Sequence, residues 1–521
     1  MIRKLRINNI VMFIICFTSS ANLFALKSPV DASRTFREAV TVSGIRAHQR
    51  AFQDIADRNG GNRMASSAGY EASVRYVKQR LEDAGYNVTL QAFPLTISRD
   101  QNVPELSTTT PKVRGFEAGV DFASMTTRGS VEVTGDIEAV DLTIPSLAPD
   151  SATSGCETDD FANFTPGNIA LLQRGACEFT TKIENAIAAG ARGAIIFNEG
   201  NEGRTELISS RVTTSRTDFP VLGASFHVGS TLRDTAVNGP TGISVFMKVE
   251  VALDIYTVEN VIAETASGDE NRVVVVGAHL DGVRQGPGIN DNGSGSATIL
   301  EMALKFQELS LTPRNKLRFI WFGAEEFGLI GSEFYVNSLS GAEQQKILAM
   351  LNFDMIGSSN YARFVYDGDN SSQSETLAAS GPEGSGLIEK ILLDYFRAQG
   401  QESHPTAFNG RSDYGPFIQV GIPAGGVFSG AEGIKSARLA NVYGGTAGAP
   451  FDPCYHRSCD DFTHTGGSDT YALALKSLDE LSDAAAHSLF YLSNTSDTIR
   501  PEGKVIAKKI PLPYRGNFPQ R

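Results

Sequence analysis

Runs of consecutive apolar residues alternate with amphipathic stretches through the second half of the chain. The apolar runs span residues 272–278, 317–322 and 347–353, and the first contains four consecutive valines. Such runs are typical of strands that are buried on both faces of a sheet. Apolar residues recur with a helical period in the stretches between and after them, at 296–309, 331–338, 386–399 and 471–492. The alternation predicts an α/β fold whose mixed, largely parallel sheet is sandwiched by helices.

The first half of the chain has a different pattern, which predicts an inserted domain. Helical periodicity at 33–56 and 70–85 is followed by an alternating, strand-like stretch at 86–93. Short strand-like runs then surround one helical stretch, in the order 131–133, 169–172, 181–189 (helical), 193–197 and 220–223. Residues 128–253 are therefore predicted to be a separate small domain. It would interrupt a larger domain, of residues 26–127 and 254–500, because the helices near the start have no strands of their own to cover.

The amino terminus has the order of a signal peptide. Basic residues precede an apolar run at 10–17, and small and polar residues then lead to a plausible cleavage site at 23–25. The run is short for a membrane anchor, which needs about 20 residues. We therefore expect removal of residues 1–25 and export to a secreted or periplasmic location, with no membrane anchor after cleavage. At the other end, residues 501–521 are rich in Pro, Lys and Arg and are predicted to be a peripheral extension.

The overall charge argues against some partners. The 521 residues carry a formal net charge of −13, with a pI near 5.2. Binding to nucleic acid or to an anionic membrane needs a basic face. We therefore expect no nucleic-acid partner, although charge by itself selects no function.

Four cysteines remain once the signal peptide, which contains Cys16, is removed. An even number of cysteines in an oxidising compartment favours two disulfides. Three pairings are open, and the local one is Cys156–Cys177 with Cys454–Cys459. The alternative is a structural zinc site, which is disfavoured because neither pair has the two-residue spacing of a zinc knuckle.

Residues of types that commonly bind metals follow each of the three apolar runs. His279 follows the first run, Glu326 lies just beyond the second, and Asp354 comes directly after the third. Ligands of open α/β sheets bind at the carboxyl ends of the strands. A single acid after a strand is more often a cap or turn residue, but three such residues after three strands predict a metal site. Asp291, in the glycine-rich loop 286–295, is either a further ligand or a cap of the following helix.

His456 lies between Cys454 and Cys459, and two interpretations of it stay open. It is either a surface histidine in a small disulfide loop or a metal ligand that the disulfide holds in place. His487 lies in an amphipathic stretch and is predicted to pack. The remaining histidines have no metal-binding companions at a suitable spacing or lie in turn-rich sequence: His48, His227, His404 and His464.

Five segments occur together in an order that resembles a known peptidase family. They are GAHLD at 277–281, GINDNGSG at 288–295, GAEEFGLIGS at 323–332, NFDMIG at 352–357 and CYH at 454–456. They resemble the secreted co-catalytic di-zinc aminopeptidases of the leucyl aminopeptidase and aminopeptidase Y type, and the likeness covers residues 33–127 and 254–495. The small domain resembles the protease-associated (PA) domain, through GNIALLQRG at 167–175. The resemblance implies a zinc exopeptidase fold with an inserted PA domain.

The resemblance also implies a ligand set. Two zinc ions per chain would be bound, one by His279 and Asp354 and the other by Glu326 and His456. Asp291 would bridge the two ions. No expected ligand is missing, which disfavours a catalytically idle receptor or binding protein with the same fold.

Three further residues receive catalytic roles from the resemblance. Asp281 would accept the second ring N–H of His279 and fix its tautomer. Glu325 would be the general base that takes a proton from water and passes it to the leaving amine. Tyr455 would donate a hydrogen bond to the oxyanion.

Substrate choice is expected to depend on two residues of the predicted pocket. Phe428 suggests an apolar pocket and peptide substrates with a large apolar first residue, although a lone phenylalanine is more often part of a core. Arg411 either supports the site for the substrate's amino group or grips the C-terminal carboxylate, as in a carboxypeptidase of the same fold. The likeness of the loop around His456 favours the aminopeptidase, which we expect to be a monomer.

Overall fold

The structure is a computed structural model that describes residues 28–500, except 149, 202–203, 213, 373–379 and 464–469. The predicted signal peptide (1–25), the predicted extension (501–521) and His464 lie outside the described residues. None of the helices in the described part of the chain is both long enough and apolar enough to span a membrane.

The secondary structure alternates between helices and strands after a helical start. The helices are α1 (Pro29–Ala32), α2 (Arg34–Ala39), α3 (Val42–Arg58), α4 (Ala68–Asp83), α5 (Phe179–Ala188), α6 (Phe226–Arg233), α7 (Gly293–Glu308), α8 (Ile330–Ser338), α9 (Gly341–Lys346), α10 (Ser385–Ala398), α11 (Tyr414–Gln419), α12 (Ala437–Tyr443) and α13 (Thr470–Asn494). The strands are β1 (Asn87–Asp100), β2 (Glu105–Thr110), β3 (Arg114–Gly115), β4 (Phe122–Ser124), β5 (Gly129–Ala139), β6 (Ile169–Gln173), β7 (Gly193–Phe197), β8 (Val221–Ala224), β9 (Gly239–Glu264), β10 (Asp269–His279), β11 (Asn315–Phe322), β12 (Ile347–Phe353), β13 (Phe364–Tyr366), β14 (His404–Thr406) and β15 (Ala424–Phe428).

The described strands form one mixed sheet. Its order is β14-β13-β15-β12-β10-β11-β9-β5-β6-β7-β8-β4, while β1 and β2 pair with β9 and β3 pairs with β2. In the larger unit β10 is parallel to β11 and β12, and β12 is parallel to β15. In the smaller unit, which is the predicted inserted domain, β5 pairs with β6, β6 with β7 and β7 with β8, all in parallel. The predicted mixed, largely parallel sheet between helices is confirmed.

Alternate residues of the central strands enter two different cores. Val274 and Val276 of β10 pack with residues of α3, α7 and α13, whereas Val273 and Val275 pack with residues of α8 and α11. Successive side chains of a strand point to opposite faces, so these helices cover opposite faces of the sheet. This double burial explains the unbroken run of valines. It also leaves the strand ends as the places where polar residues of neighbouring strands meet.

The stretch 33–56, predicted as one helix, is divided in the structure. Helix α2 ends at Ala39 and α3 begins at Val42. The side chain of Thr41 accepts a hydrogen bond from the backbone N–H of Gly44 and so caps α3. Apolar periodicity continues through the break because Val40, between the helices, is also buried. Periodicity therefore could not reveal it.

Strand β9 belongs to both units of the sheet. Its first part, up to Val251, pairs with β5, and its second part, from Val251 onward, pairs with β1. The end of the second part also pairs with β11. The predicted small domain was expected to close at residues 249–253, and the structure continues the same strand through that stretch. Alternating sequence cannot distinguish one long strand from two strands joined end to end.

A buried polar cluster joins the start of the described chain to α13. His487 is 2% exposed, and its ring stacks on that of Tyr395 with 4.8 Å between the centroids. Its Nδ1 lies 2.9 Å from the hydroxyl oxygen of Ser33. His487 is therefore a packing residue, as predicted. Burial, together with the nearby Arg37 guanidinium, lowers the pKa of His487 to about 4.

We expect His487 to make the fold sensitive to acid. Its folded-state pKa of about 4 lies below the unfolded-state value of about 6.5. Below that unfolded value the unfolded chain binds the proton while the folded chain does not, so stability falls as the pH drops from about 6.5 to about 4. The loss is about 3 kcal/mol over this window, from about 1.4 kcal/mol per pKa unit.

Urea denaturation of His487→Gln at pH 7 and pH 4.5 checks this expectation. The free energy of unfolding should fall less between the two pH values in the variant than in the unchanged protein. His227→Gln, at an exposed position of α6, is the control and should keep the full pH dependence. An identical fall in the His487 variant would contradict the assignment.

Candidate metal centre

Ends of neighbouring strands bring the predicted ligands together. His279 is the last residue of β10, and Asp354 directly follows β12. Glu326 lies between β11 and α8, and Asp291 lies just before α7. All four side chains are buried, with 1–8% of each residue exposed. The placement at the carboxyl edge of the sheet is the one that the sequence pattern predicts.

Backbone conformation at this edge is unusual. Ala324, Met355 and His456 have φ angles of 57°, 51° and 57°, in the left-handed region that residues with a side chain rarely adopt. Ala324 precedes Glu325, and Met355 follows Asp354. His456 is itself a predicted ligand. Left-handed non-glycine residues persist where the surrounding structure holds them, and they are concentrated at functional sites.

Asp291 faces both predicted histidine ligands. Its Oδ1 lies 3.3 Å from Nε2 of His279, and its Oδ2 lies 2.8 Å from Nε2 of His456. His279 Nε2 is also 3.2 Å from Oδ1 of Asp354, and His456 Nε2 is 3.2 Å from Oε2 of Glu326. Two ligand triads result, His279–Asp291–Asp354 and Asp291–Glu326–His456, each with its ligand atoms within 4.8 Å of one another.

The charge of these groups favours a cation. Burial lowers the pKa of His456, but Glu326 and Asp291 raise it more, to about 9. His279 has a pKa well above its usual value, because the effect of Asp354 and other carboxylates outweighs burial. Both shifts record a strongly negative potential inside the protein.

Two buried polar atoms at the site also lack hydrogen bonds. Among the described residues, Glu326 Oε1 and His456 Nδ1 are buried without a hydrogen-bond partner. A buried carboxylate oxygen without a partner is costly unless it is paired or binds a metal. Imidazole nitrogens and carboxylate oxygens are the donors that zinc accepts in catalytic sites. The residues present therefore fit bound zinc.

Asp281 contacts the site in a different way from the one expected. His279 Nδ1 lies 3.1 Å from the backbone carbonyl oxygen of Asp281 and 3.7 Å from its carboxylate. The carboxylate instead accepts hydrogen bonds from the backbone N–H groups of Glu325 and Glu326, at 3.1 and 3.3 Å. The carbonyl therefore orients the histidine ring, while the carboxylate holds the two glutamates in place.

Glu325 lies beside the two ligand triads. Its Oε2 is 3.9 Å from Nε2 of His279, and the residue is 4% exposed. Burial and the neighbouring carboxylates raise the pKa of Glu325 well above its usual range. A third combination, His279 with Glu325 and Glu326, is also close enough to hold an ion. The geometry alone thus allows Glu325 to be a base or a ligand.

The remaining predicted residues differ in how near they come to the ligands. Tyr455 stacks on the ring of His456, with 3.8 Å between centroids, and accepts a hydrogen bond from Arg411 at 3.1 Å. Arg411 also donates to Oε1 of Glu432 at 2.6 Å. Phe428, at the end of β15, packs against the ring of Phe364 at 6.0 Å between centroids, which is a position at the margin of a core.

Both local cysteine pairs form disulfides. Cys454 and Cys459 are joined with 5.2 Å between their Cα atoms, and Cys156 and Cys177 with 5.8 Å. The first bridge closes the short loop that presents His456. The second lies in the smaller unit of the sheet.

Sequence reasoning missed residues that hold the ligands from behind. Ser412 donates a hydrogen bond to Oδ2 of Asp354 at 2.6 Å and accepts one from Asn352 at 2.7 Å. Asp460 accepts hydrogen bonds from the backbone N–H groups of Asn290 and Asp291. The signals available were weak, since Ser412 only adjoins the predicted pocket residue Arg411 and Asp460 only follows Cys459.

Comparison with known proteins gives consistent matches. A family model described as peptidase family M28 matches residues 260–475, and one described as PA domain matches residues 138–232, which confirms the predicted PA domain. An aminopeptidase of Pseudomonas aeruginosa is 46% identical over 420 residues, which cover 80% of this chain and 76% of that protein. Leucine aminopeptidase 2 of Trichophyton rubrum is 43% identical over 307 residues, covering 59% and 60%. The structure of an aminopeptidase from Aneurinibacillus sp. strain AM-1 shares the fold, with a TM-score of 0.65 at 23% identity over 90% of this chain and 98% of that one.

Proposed function

The chain belongs to peptidase family M28, and we propose that it is a zinc-dependent aminopeptidase with two zinc ions in its active site. As a metallo-aminopeptidase it removes the N-terminal residue from peptides. The observation that carries the proposal of two ions is Asp291, whose two oxygens face different histidines at 3.3 and 2.8 Å. Each histidine has a further carboxylate beside it, so one carboxylate is shared between two otherwise separate ligand triads.

His279 and Asp354 would hold one ion, Glu326 and His456 the other, and Asp291 both. Zinc held by these residues would supply Lewis-acid chemistry, which polarises a peptide carbonyl and lowers the pKa of water. Asp281 supports the set, because its carboxylate fixes the backbone at Glu326 while its carbonyl oxygen orients His279.

Glu325 would move the proton. Its carboxylate takes a proton from the attacking water and delivers it to the nitrogen of the leaving amine. The hydrogen bond from its backbone N–H to Asp281 keeps the side chain at the edge of the ligand triads. Tyr455 would donate a hydrogen bond to the substrate oxygen on which charge develops. Arg411 can only donate, so its contact with Tyr455 uses a lone pair of the hydroxyl oxygen and not the hydroxyl proton.

The ion pair of Arg411 supports an aminopeptidase over a carboxypeptidase. A carboxypeptidase needs a cation that is available to the C-terminal carboxylate of its substrate. Arg411 already pairs with Glu432 at 2.6 Å, and its other terminal nitrogen donates to Tyr455. Its charge is therefore neutralised from within the protein.

Glu432→Gln should make Arg411 available to substrate carboxylates. We expect KM for the dipeptide Leu-Leu to fall by about fivefold relative to KM for its C-terminal amide, equivalent to about 1 kcal/mol. Release from leucine para-nitroanilide, which has no carboxylate, should change little. The measurement is the ratio of the two KM values. Glu402→Gln, which removes an exposed partner of Arg438, is the control, and an unchanged ratio in the Glu432 variant would count against the role given to this pair.

A substrate panel with a metal count tests the proposed function. Purified protein should release para-nitroaniline from the leucine anilide faster than from the glutamate anilide, because we propose a preference for large apolar first residues. A chelator should abolish the release, and zinc analysis should give two ions per chain. Cleavage restricted to N-terminally blocked peptides with a free C-terminus would identify a carboxypeptidase. No cleavage of either class would identify a binding protein.

We also propose that the protein acts outside the cytoplasm. The two disulfides suit an oxidising compartment, and residues 1–25 have the order of a signal peptide. Mass spectrometry of protein recovered from the culture medium or periplasm should give a mature chain that starts after residue 25. Recovery of the full-length chain in the cytoplasm alone would contradict this.

A further inference from the structure

A fully buried arginine holds the loop between two of the proposed ligands. Arg63 lies between α3 and α4, outside the region that matches the peptidase family model, and is 0% exposed. Its guanidinium donates to the carbonyl oxygens of Leu280, Pro287 (2.7 Å) and Gly288 (2.5 Å). The backbone N–H of Gly282 donates in return to the carbonyl of Arg63 at 3.3 Å.

These carbonyls belong to both ends of one loop. Leu280 directly follows His279, and Gly288 precedes Asp291 by three residues. The planar guanidinium therefore joins the start of the loop to its end. The fit is close, because a Cβ atom on Gly288 would lie 3.3 Å from the guanidinium and 2.4 Å from the carbonyl oxygen of Asp291.

Asp460 holds the same loop through groups of opposite polarity. Its carboxylate accepts hydrogen bonds from the backbone N–H groups of Asn290 (2.6 Å) and Asp291 (2.9 Å). Its backbone carbonyl oxygen accepts one from the backbone N–H of Ile289 (3.1 Å). Asp460 is 3% exposed and directly follows Cys459, which closes the loop of His456. It therefore connects the loop of one proposed ligand to the disulfide loop of another.

We propose that Arg63 and Asp460 form a loop clamp that sets the position of the Asp291 carboxylate and so enables one side chain to serve two zinc ions. Arg63 fixes the carbonyls of the loop, and Asp460 fixes its amides. Both are positioning residues, since the hydrogen bonds that carry the clamp run from their side chains to backbone groups of the loop. The inference rests on the proposed function, because it concerns the binding of zinc.

The clamp depends on the shape of the arginine as well as on its charge. Burial lowers the pKa of Arg63 to about 10, which leaves it charged at neutral pH. A lysine would keep the charge but offers a single nitrogen, which cannot reach three carbonyl oxygens along a fork. Asparagine at position 460 would direct an N–H toward backbone N–H groups. Arg63→Lys and Asp460→Asn therefore disturb the clamp from its two sides.

Zinc affinity and the cobalt spectrum test the clamp. The full chain of each variant is stripped with a chelator and titrated with zinc against a competing chromophoric chelator, and cobalt is then bound in place of zinc to record its absorption spectrum. Arg363→Lys is the matched control, because Arg363 is another buried arginine (7% exposed), which pairs with Glu480. We expect zinc to bind about 10–100-fold more weakly in Arg63→Lys and Asp460→Asn, which is the usual effect of losing a residue that orients ligands. The cobalt spectrum should change in both, and neither property should change in the control.

Two results separate failure of the clamp from failure of the proposed function. If the unchanged protein binds zinc tightly and both clamp variants bind it within twofold as tightly with the same cobalt spectrum, the clamp is overturned and the proposed function stands. If the unchanged protein binds no zinc, the proposed function fails and the clamp fails with it. A lower melting temperature of the chelated variants at unchanged zinc affinity would show a purely structural role and also overturn the clamp.

Discussion

Glu325→Gln is expected to leave zinc binding intact and to lower kcat by about 10²–10⁴, the range that a general base contributes. The substitution keeps the size of the side chain and removes its ability to take a proton. Glu325 is 4% exposed and its carboxylate lies 3.9 Å from His279 Nε2. A buried carboxylate beside the ligand triads acts in the chemical step, so the lost proton transfer should appear in kcat and not in KM. The measurements are steady-state kinetics with leucine para-nitroanilide and the zinc content of the same sample.

The neighbouring glutamate provides a matched control. Glu326→Gln makes the same chemical change one residue later, and should lower the zinc content because Glu326 faces His456 at 3.2 Å. Near-normal turnover in Glu325→Gln would remove its role as the base. Loss of zinc from Glu325→Gln would make it a ligand, as the alternative combination with His279 allows.

Asp291→Asn is expected to have the largest effect on metal binding. The amide keeps one oxygen of the carboxylate and replaces the other by an NH₂ group, which cannot bind a metal. Since the two oxygens of Asp291 face different histidines, one proposed ion loses its shared ligand and the other keeps only a neutral amide oxygen in place of a carboxylate. Zinc affinity should fall by more than about 100-fold, because loss of a residue behind a ligand already costs about 10–100-fold. Metal analysis after dialysis should give well below one zinc per chain, with no measurable hydrolysis.

The zinc content of Asp354→Asn is the control for that of Asp291→Asn. Asp354 contacts His279 at 3.2 Å and belongs to one triad alone. It should therefore lose one zinc ion and keep the other. If Asp291→Asn and Asp354→Asn retained the same amount of zinc, Asp291 would not bridge two ions.

The fold was largely predictable because burial of the central strands on both faces of the sheet produces the runs of apolar residues in the sequence. The valines of β10 enter two cores in alternation, so residues 273–276 had to be apolar at every position. The bounds 193–197 and 347–353 match β7 and β12, because charged residues or an asparagine flank each apolar run. The break at Thr41 was missed since a capping threonine inside a continuing apolar pattern resembles an ordinary helical residue.

The candidate site was predictable to the extent that its residues stand at strand ends. His279, Glu326 and Asp354 could be located in this way, and the structure brings them together, while their binding of zinc stays a prediction. His456 depended on family resemblance, because it follows no predicted strand and the pattern of apolar residues does not place it at the sheet edge. Arg63 could not be found, since its partners are backbone carbonyls more than 200 positions away and carry no side-chain signal.

The 26-residue strand β9 determines how the PA domain can move. A fully extended strand of that length measures about 85 Å at about 3.3 Å per residue. Domains usually join through flexible linkers that allow them to swing, but here the joint is a hydrogen-bonded ribbon without a slack segment. A displacement of the PA domain would strain many backbone hydrogen bonds of β9 at once instead of extending a flexible linker. We therefore expect a twist of the PA domain to be transmitted along β9 to the strands of the peptidase domain.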